Sequence, residues 1–511
     1  MKLSEQSLAW AMKHVGKEGD TDLFPTPFEF KILKKHSSEV IRTLKAVEID
    51  TYQWKGPRRL MVPKSQFAFR SVCQLDPLDS ILFAALVRGI GRKIESRRSP
   101  KRKEQVFSYR FEPKTTGKLY AATTGWEDFW TTSSLHCDNN KFVLVTDLSD
   151  YYNQIYHHTI ENQLKECGVP ADYWRSIKNL LGNITEGISR GIPIGPHPSH
   201  LLAEMAMIPV DNFLDSLGLT WCRYVDDIHI FCESKEAGHA ALYKFVEYLD
   251  RTQKIQINKQ KTDIKRCSVF KEVCKSNKLD HPINPLELMM ISTVKSYTNS
   301  PYERIKYKKM SKSDADKMSR QNIEAVLRDY IGATDVDYTR LRWFIRRLTQ
   351  IGAPGGVPFI VKNFDKFLPA IAEVGNYFES AAGNYSGEWS DIGDELVKVY
   401  ESGIVQASEY LQVVVLSLFA RIKDLNHINR LTKVYPTVSN MCQRKIVLAA
   451  AQAGAQAWLS SLKGEYKNAD PWNRRAIIFG MRALPDDEKK FWLKSVKRQV
   501  VGLDKLVAES V

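Results

Sequence analysis

Apolar and polar positions follow one rhythm over roughly the first 290 residues and another from about residue 320. In the first part, KFVLVTD (141–147) is a short apolar, β-branched run that reads as a strand. The segment after it, YYNQIYHHTIENQLKECG, sets Ile155, Ile160 and Leu164 on one side of a helix, so strand, sharp turn and helix follow in order. LTWCRYVDDIHIFCE reads as two short strands joined at Val225 to Asp227, with Ile228, Ile230 and Cys232 alternating against His229 and Phe231. HAALYKFVEYLDRTQ predicts an amphipathic helix, with Leu242, Phe245, Val246 and Leu249 at helical intervals. These patterns make the first part α+β.

Beyond residue 320 or so, strand patterns cease and helical ones succeed one another: YTRLRWFIRRLTQIG, VPFIVKNFDKFLPAIAEVG, DELVKVYESG, QASEYLQVVVLSLFARI, QRKIVLAAAQAGAQAWLSSL, DPWNRRAIIFGMRAL and DDEKKFWLKSVKRQV. Asp470 before Pro471 is an N-cap followed by proline at the first helical position. Successive helices with no strict repeat predict either an α-solenoid resembling HEAT-type arrays or an irregular helical bundle. The charged stretch YERIKYKKMSKSDADKMSRQ reads as a connection. The expected organisation is an α+β part at 1–290, a linker at 291–320 and an all-α, HEAT-like domain at 321–511.

Composition narrows the partners. The chain has 511 residues and a net charge of +15, and so basic a surface concentrates polyanions such as nucleic acid and nucleotides. An anionic membrane is the other candidate, but no stretch approaches the roughly 20 apolar residues of a spanning helix. Glu5 and Gln6 stand where a signal peptide would begin its apolar core, so a cytoplasmic protein without a membrane partner is expected. Eight cysteines form no C-x-x-C pair and read as free thiols. Arginines beside tryptophans in RWFIRRL, PWNRRAIIFGMR and KKFWLKSVKR could grip single-stranded nucleic acid, but core tryptophans with solvated basic faces are the favoured reading of each stretch. The run RKIESRRSPKRK (92–103) reads as an exposed loop.

The candidate chemistry lies in the acidic residues. Asp226 and Asp227 are adjacent like charges at a hairpin turn, and burial would raise their pKa values unless a cation neutralised them. Magnesium, held by one or two carboxylates plus substrate phosphates, supplies such a cation; a solvent-facing turn is the bland alternative. Asp147 ends its own apolar strand and can meet the hairpin pair across neighbouring strands. Three acidic groups around two metals are what two-metal phosphoryl transfer requires.

FVLVTDLSDYYNQI and RYVDDIHIF resemble motifs A (142–156) and C (223–230) of reverse transcriptases, whose signature is Y-x-D-D. GIPIGPHPSHLLAEM resembles motif B (190–205), IQINKQKTDI resembles motif D (255–264), and GPRRLMVPKSQFAFRSVCQLDPLDSILFAALV resembles the fingers motifs. The resemblance implies a right-hand polymerase with fingers and palm. It implies catalytic aspartates Asp147, Asp226 and Asp227, the Leu148 carbonyl as a further metal ligand, and two magnesium ions per site, with manganese as the alternative. It also implies that Lys64, Arg70 and Lys261 contact the triphosphate, that Gly195 shapes the nucleotide pocket, and that the Tyr152 ring excludes a ribose 2′-hydroxyl.

Where many reverse transcriptases have P-Q-G in motif B, this chain has Pro193-Ile194-Gly195, and Ile194 has no side-chain group to position a nucleotide against a template. Together with the long helical C-terminal part, this resembles the AbiK-like abortive-infection (Abi) reverse transcriptases of bacterial antiphage defence, a prophage-encoded Abi polymerase among them. That resemblance implies untemplated DNA synthesis from deoxynucleoside triphosphates, primed by a protein tyrosine, with the single-stranded product covalently attached, in a homo-oligomer. Tyr52 is the candidate for the priming tyrosine that lies near the fingers motifs. Alternative readings are a template-using polymerase of retron or group II intron type, or a catalytically degenerate nucleic-acid-binding scaffold.

Overall fold

The computed structural model describes all residues except 22, 122–123, 279–281 and 299–303. The chain divides into two compact units: Met1–Asp22, Thr26–Arg59 and Val72–His281 form the first, and Leu23–Pro25, Leu60–Ser71 and Pro282–Val511 the second. Six strands are found among the described residues: β1 (Arg58–Pro63), β2 (Phe69–Gln74), β3 (Phe142–Asp147), β4 (Thr220–Tyr224), β5 (Asp227–Cys232) and β6 (Asp263–Arg266). β1 and β2 pair as a two-stranded sheet, and the others form a four-stranded sheet in the order β4-β5-β3-β6. Each neighbour pair in the larger sheet is antiparallel.

The larger sheet is covered on both faces, so β5 does not alternate as its sequence predicts: Ile228, His229, Ile230, Phe231 and Cys232 are all buried. His229 points at the helix Gly125–His136, stacking on Phe129 at 4.5 Å and sharing a 2.8 Å hydrogen bond between Nδ1 and Ser133 Oγ. That covering helix hides a polar side chain inside the core without leaving it unpaired. The helix Lys235–Thr252 buries Ala241, Phe245 and Leu249, whereas Val246 is exposed.

After β3 the predicted helix is interrupted. Tyr151–Gln154 and His157–Glu166 are separate helices, with Ile155 extended between them. The Tyr152 carbonyl accepts from the Ile192 amide and the Ile155 carbonyl from the Gly191 amide, so neither is available to continue a helical ladder.

In the second unit the described residues from Pro285 onward contain helices and no strand. Six of the helices form a row, each packed on the next: Tyr338–Ile351, Ile371–Ala381, Glu409–Arg421, Asn440–Ala453, Pro471–Gly480 and Gly502–Glu509. Asp470 caps its helix as the sequence predicts, accepting from the amides of Trp472 and Asn473. Of the expected linker at 291–320, residues 299–303 lie outside the described residues, and helices lie on either side of them. Asn284 caps a helix at Pro285–Tyr297 that buries Met290, Ile291 and Val294, and Ser311 caps a second at Lys312–Lys317. No helix among the described residues is long and apolar enough to cross a membrane, and all eight cysteines are buried thiols outside any disulfide.

Candidate active site

β3 and β5 run antiparallel in a register that sets Asp147 directly opposite Asp227. The Leu148 amide donates to the Asp226 carbonyl at 3.3 Å, which brings the end of β3 against the turn between β4 and β5. The Asp147 carboxyl and those of the adjacent pair Asp226 and Asp227, distant from it in the chain, therefore gather at one end of the sheet.

The turn is strained. Val225 has φ +56°, a left-handed conformation that a β-branched residue rarely adopts. Its amide donates to Ser108 Oγ at 2.9 Å and its carbonyl accepts from the Arg223 guanidinium at 3.2 Å. Arg223 is fully buried, and its Nε and Nη2 donate to the two oxygens of Asp211 at 2.6 and 2.8 Å. Its Nη1 also donates to Glu204 at 2.8 Å, and Arg98 reaches the same Glu204 oxygen at 2.7 Å. Burial would push the Glu204 carboxyl up, but Arg223 and Arg98 hold it below its ordinary value. This closed network backs the hairpin that carries Asp226 and Asp227.

Asp147 is met from the other side by Asn258 and Lys261. The Asn258 amide nitrogen donates to the Asp147 carbonyl at 2.7 Å and its side chain to Oδ2 at 3.3 Å, and Lys261 Nζ lies 3.1 Å from Oδ1. Burial pulls the Lys261 ammonium down, but Asp227 and Asp147 outweigh it and raise its pKa. The Asp227 carboxyl is pushed up to about 7 by burial and by Asp226, an effect that Lys261 only partly offsets. The cluster thus holds more negative charge than one ammonium compensates. Its donors are all oxygens, the set that suits a hard divalent cation such as magnesium. Ligand atoms of the three aspartates do not all lie within 4.8 Å of one another, so they form no closed cage; magnesium sites of this kind are usually completed by substrate phosphates and water.

The other predicted residues take separate positions. Tyr152 is half-buried, with its hydroxyl 2.6 Å from His200 Nδ1. Gly195 has φ +123°, and a Cβ there would stand 2.8 Å from Thr21 Oγ1 and 2.9 Å from the Cys73 carbonyl. The Ile194 carbonyl accepts from the Cys73 amide, fixing the motif B loop to β2. Lys64 and Arg70 belong to the part of the β1–β2 hairpin that groups with the second unit, where Arg342 donates to the Pro63, Lys64 and Pro369 carbonyls. Tyr52 donates to Asp79 at 2.7 Å, and burial and Asp79 push its hydroxyl well above the ordinary tyrosine range.

Burial corrects one sequence expectation and decides between the two readings of another. Arg98, inside the supposedly exposed run 92–103, is 3% exposed and ion-paired with Glu95 and Glu204. In the stretch 471–482, Trp472 is buried with Arg475 and Arg444 over its ring, so that pair is core and not a nucleic-acid grip. Glu204, Asp211 and Arg223 were missed as supports, although each is a lone charge inside an apolar run (LLAEMAM, IPVDNF, TWCRYV) and that is a readable signal.

Residues 85–302 match the family model described as reverse transcriptase (RNA-dependent DNA polymerase), a span that contains the whole carboxylate cluster. The chain carries a reverse-transcriptase domain and is a polymerase of the nucleotidyltransferase class. Polymerases of this type generally use divalent metal ions, typically magnesium. No curated protein sequence matches the chain. Among solved structures, telomerase from Candida albicans in complex with the TWJ fragment of telomeric RNA aligns at 12% identity over 75% of this chain and 71% of that one, with a TM-score of 0.32. Apo telomerase from Candida tropicalis aligns at 10% identity over 75% and 72%, with a TM-score of 0.31. Superpositions this loose transfer no residue from one chain to the other.

Proposed function

We propose that the protein is an abortive-infection DNA polymerase of bacterial antiphage defence, adding deoxynucleotides without a template to a tyrosine of the protein itself. The observation that carries the polymerase part of this reading is the opposition of Asp147 and Asp227 across β3 and β5, with Asp226 bonded through its backbone to Leu148. Asp147, Asp226 and Asp227, with the Leu148 carbonyl, would hold two magnesium ions, or manganese in their place. When bound, such ions supply Lewis acidity at the attacking oxygen and the leaving pyrophosphate.

The chain's own residues do the rest. Lys261 offsets part of the cluster's charge before the nucleotide arrives and then offers its ammonium to the phosphates; Lys64 and Arg70 add fixed positive charge for the triphosphate. Gly195 lets the motif B loop pass close to Thr21 and Cys73, giving the nucleotide pocket its wall. Tyr152 faces the sugar and excludes a 2′-hydroxyl. In priming, a tyrosine oxygen attacks the α-phosphorus, its proton passes to solvent, and pyrophosphate leaves; each later nucleotide joins the preceding 3′-hydroxyl.

Absence of template reading is supported by Ile194, whose carbonyl is bonded to Cys73 and whose side chain offers no hydrogen bond. The helical part is read as a HEAT-like array, supported by its row of successively packed helices, in a protein that works as a homo-oligomer. The test is to incubate purified protein with deoxynucleoside triphosphates and magnesium, with neither template nor primer. A growing DNA adduct that protease releases is the expected result, and product that appears only with an added template and primer overturns the untemplated, protein-primed reading.

A further inference from the structure

Tyr152 is not held by packing alone. Its hydroxyl shares a 2.6 Å hydrogen bond with His200 Nδ1, and the two rings stand nearly perpendicular, at 82°. His200 lies in the helix Ser199–Ala206 and stacks face to face on Tyr109, with centroids 3.9 Å apart and planes within 3°. Tyr109 is itself fixed in an unusual backbone conformation, φ +42°, where a bulky residue is strained. Its carbonyl and that of Ser108 accept from Arg98 at 2.9 and 2.7 Å. Tyr120 braces the same helix start, accepting from the Leu201 amide at 3.2 Å and donating to the His197 carbonyl at 2.7 Å.

The order of support therefore runs from Arg98 to Tyr109, from Tyr109 to the imidazole of His200, and from His200 to the hydroxyl of Tyr152. Arg98 also pairs with Glu204 in the network behind the catalytic hairpin, so the tyrosine and the carboxylates share one foundation. A tyrosine ring anchored only at Cβ can tilt aside when an extra hydroxyl presses on it. One whose far end is hydrogen-bonded must break that bond first, and the stacked Tyr109 opposes the imidazole's following it.

We infer that His200, backed by Tyr109, is the positioning residue that sets sugar selection, by holding the Tyr152 ring rigid against the sugar's 2′ position. The inference rests on the reading of Tyr152 given above and adds the residues that make it selective. His200 touches Tyr152 and not the reacting atoms, so the measurement must separate selectivity from general damage.

The ratio of deoxyribonucleotide to ribonucleotide incorporation, taken as kcat/KM for each on one preparation, does this because the folded fraction cancels. His200→Phe keeps a ring for Tyr109 to stack on and removes the hydrogen bond; Tyr152→Phe removes it from the other side. Each is expected to lower the ratio by about tenfold, the lower end of what one modest pocket contact discriminates. The double variant should fall no further than either single one, as for two ends of a single bond. Tyr109→Leu should lower the ratio as well. A wild-type ratio in His200→Phe, or losses that multiply in the double variant, overturns the inference while leaving the polymerase reading intact. Wild-type protein that incorporates neither nucleotide defeats the polymerase reading and this inference with it. The shift in melting temperature on adding a deoxy- or ribonucleoside triphosphate gives a second readout, in which His200→Phe should narrow the difference between the two.

Discussion

Asp147 and Asp227 are directly opposed partners in the antiparallel ladder of β3 and β5. Like charges in that relationship destabilise a sheet by up to about 1 kcal/mol, and here Lys261 offsets only part of the repulsion. Asp227→Asn should therefore raise the urea midpoint at pH 8 in the absence of divalent ions, by the equivalent of about 1 kcal/mol. Magnesium should raise the midpoint of the natural protein and have little effect on the variant. A variant less stable than the natural protein would mean that the carboxylates serve the fold and not a cation.

The buried network behind the hairpin makes a different prediction. Arg223→Met leaves Asp211 without its two guanidinium hydrogen bonds and Glu204 with Arg98 as its remaining arginine. Removing one partner of a buried ion pair typically costs about 3–5 kcal/mol. Chemical denaturation should show a loss of that size, and Arg223→Met combined with Asp211→Leu should recover part of it.

Much of this site is legible in the sequence because its signals are local. The apolar run ending at Asp147 and the Val225-Asp226-Asp227 turn mark strand ends, and strand ends are where an antiparallel sheet gathers side chains. The interruption at Ile155 is not legible, since it depends on hydrogen bonds from Gly191 and Ile192 to carbonyls about 36–40 residues away in the chain. Nor is the burial of Arg98, which reads as one more charge in a basic run until Glu204 and Ser108 fold onto it. Alternation fails in β5 for the same reason: helices elsewhere in the chain cover its second face.

Gly195 tests the shape of the motif B loop. Alanine there combines φ +123° with a methyl group 2.9 Å from the Cys73 carbonyl. The expected cost is about 1–3 kcal/mol of stability, read as a lower melting temperature. Thr21→Ala should not rescue it, because the Cys73 backbone remains in place.

Asp20 gives a pH signature. It is 5% exposed, and Gln74 donates to one of its oxygens at 2.9 Å. Burial pushes its carboxyl up from 3.8 to about 7. A group whose folded pKa is raised contributes stability below its unfolded pKa and loses it as pH climbs to the folded value. Between pH 4 and 7 this residue alone should therefore cost up to about 1.4 kcal/mol per pH unit. The advantage of Asp20→Asn over the natural protein should grow across that window and level off above it; a difference that does not change with pH would refute the assignment.

The central claim is that the carboxylates at 147, 226 and 227 catalyse nucleotidyl transfer, and labelled deoxynucleotide incorporation by the natural protein and by Asp226→Asn, with magnesium and matched folded fractions, tests it most directly. The account predicts incorporation by the natural protein and a loss of about three orders of magnitude or more in the variant, equivalent to at least about 4 kcal/mol of barrier stabilisation. Equal incorporation by the two proteins would contradict it.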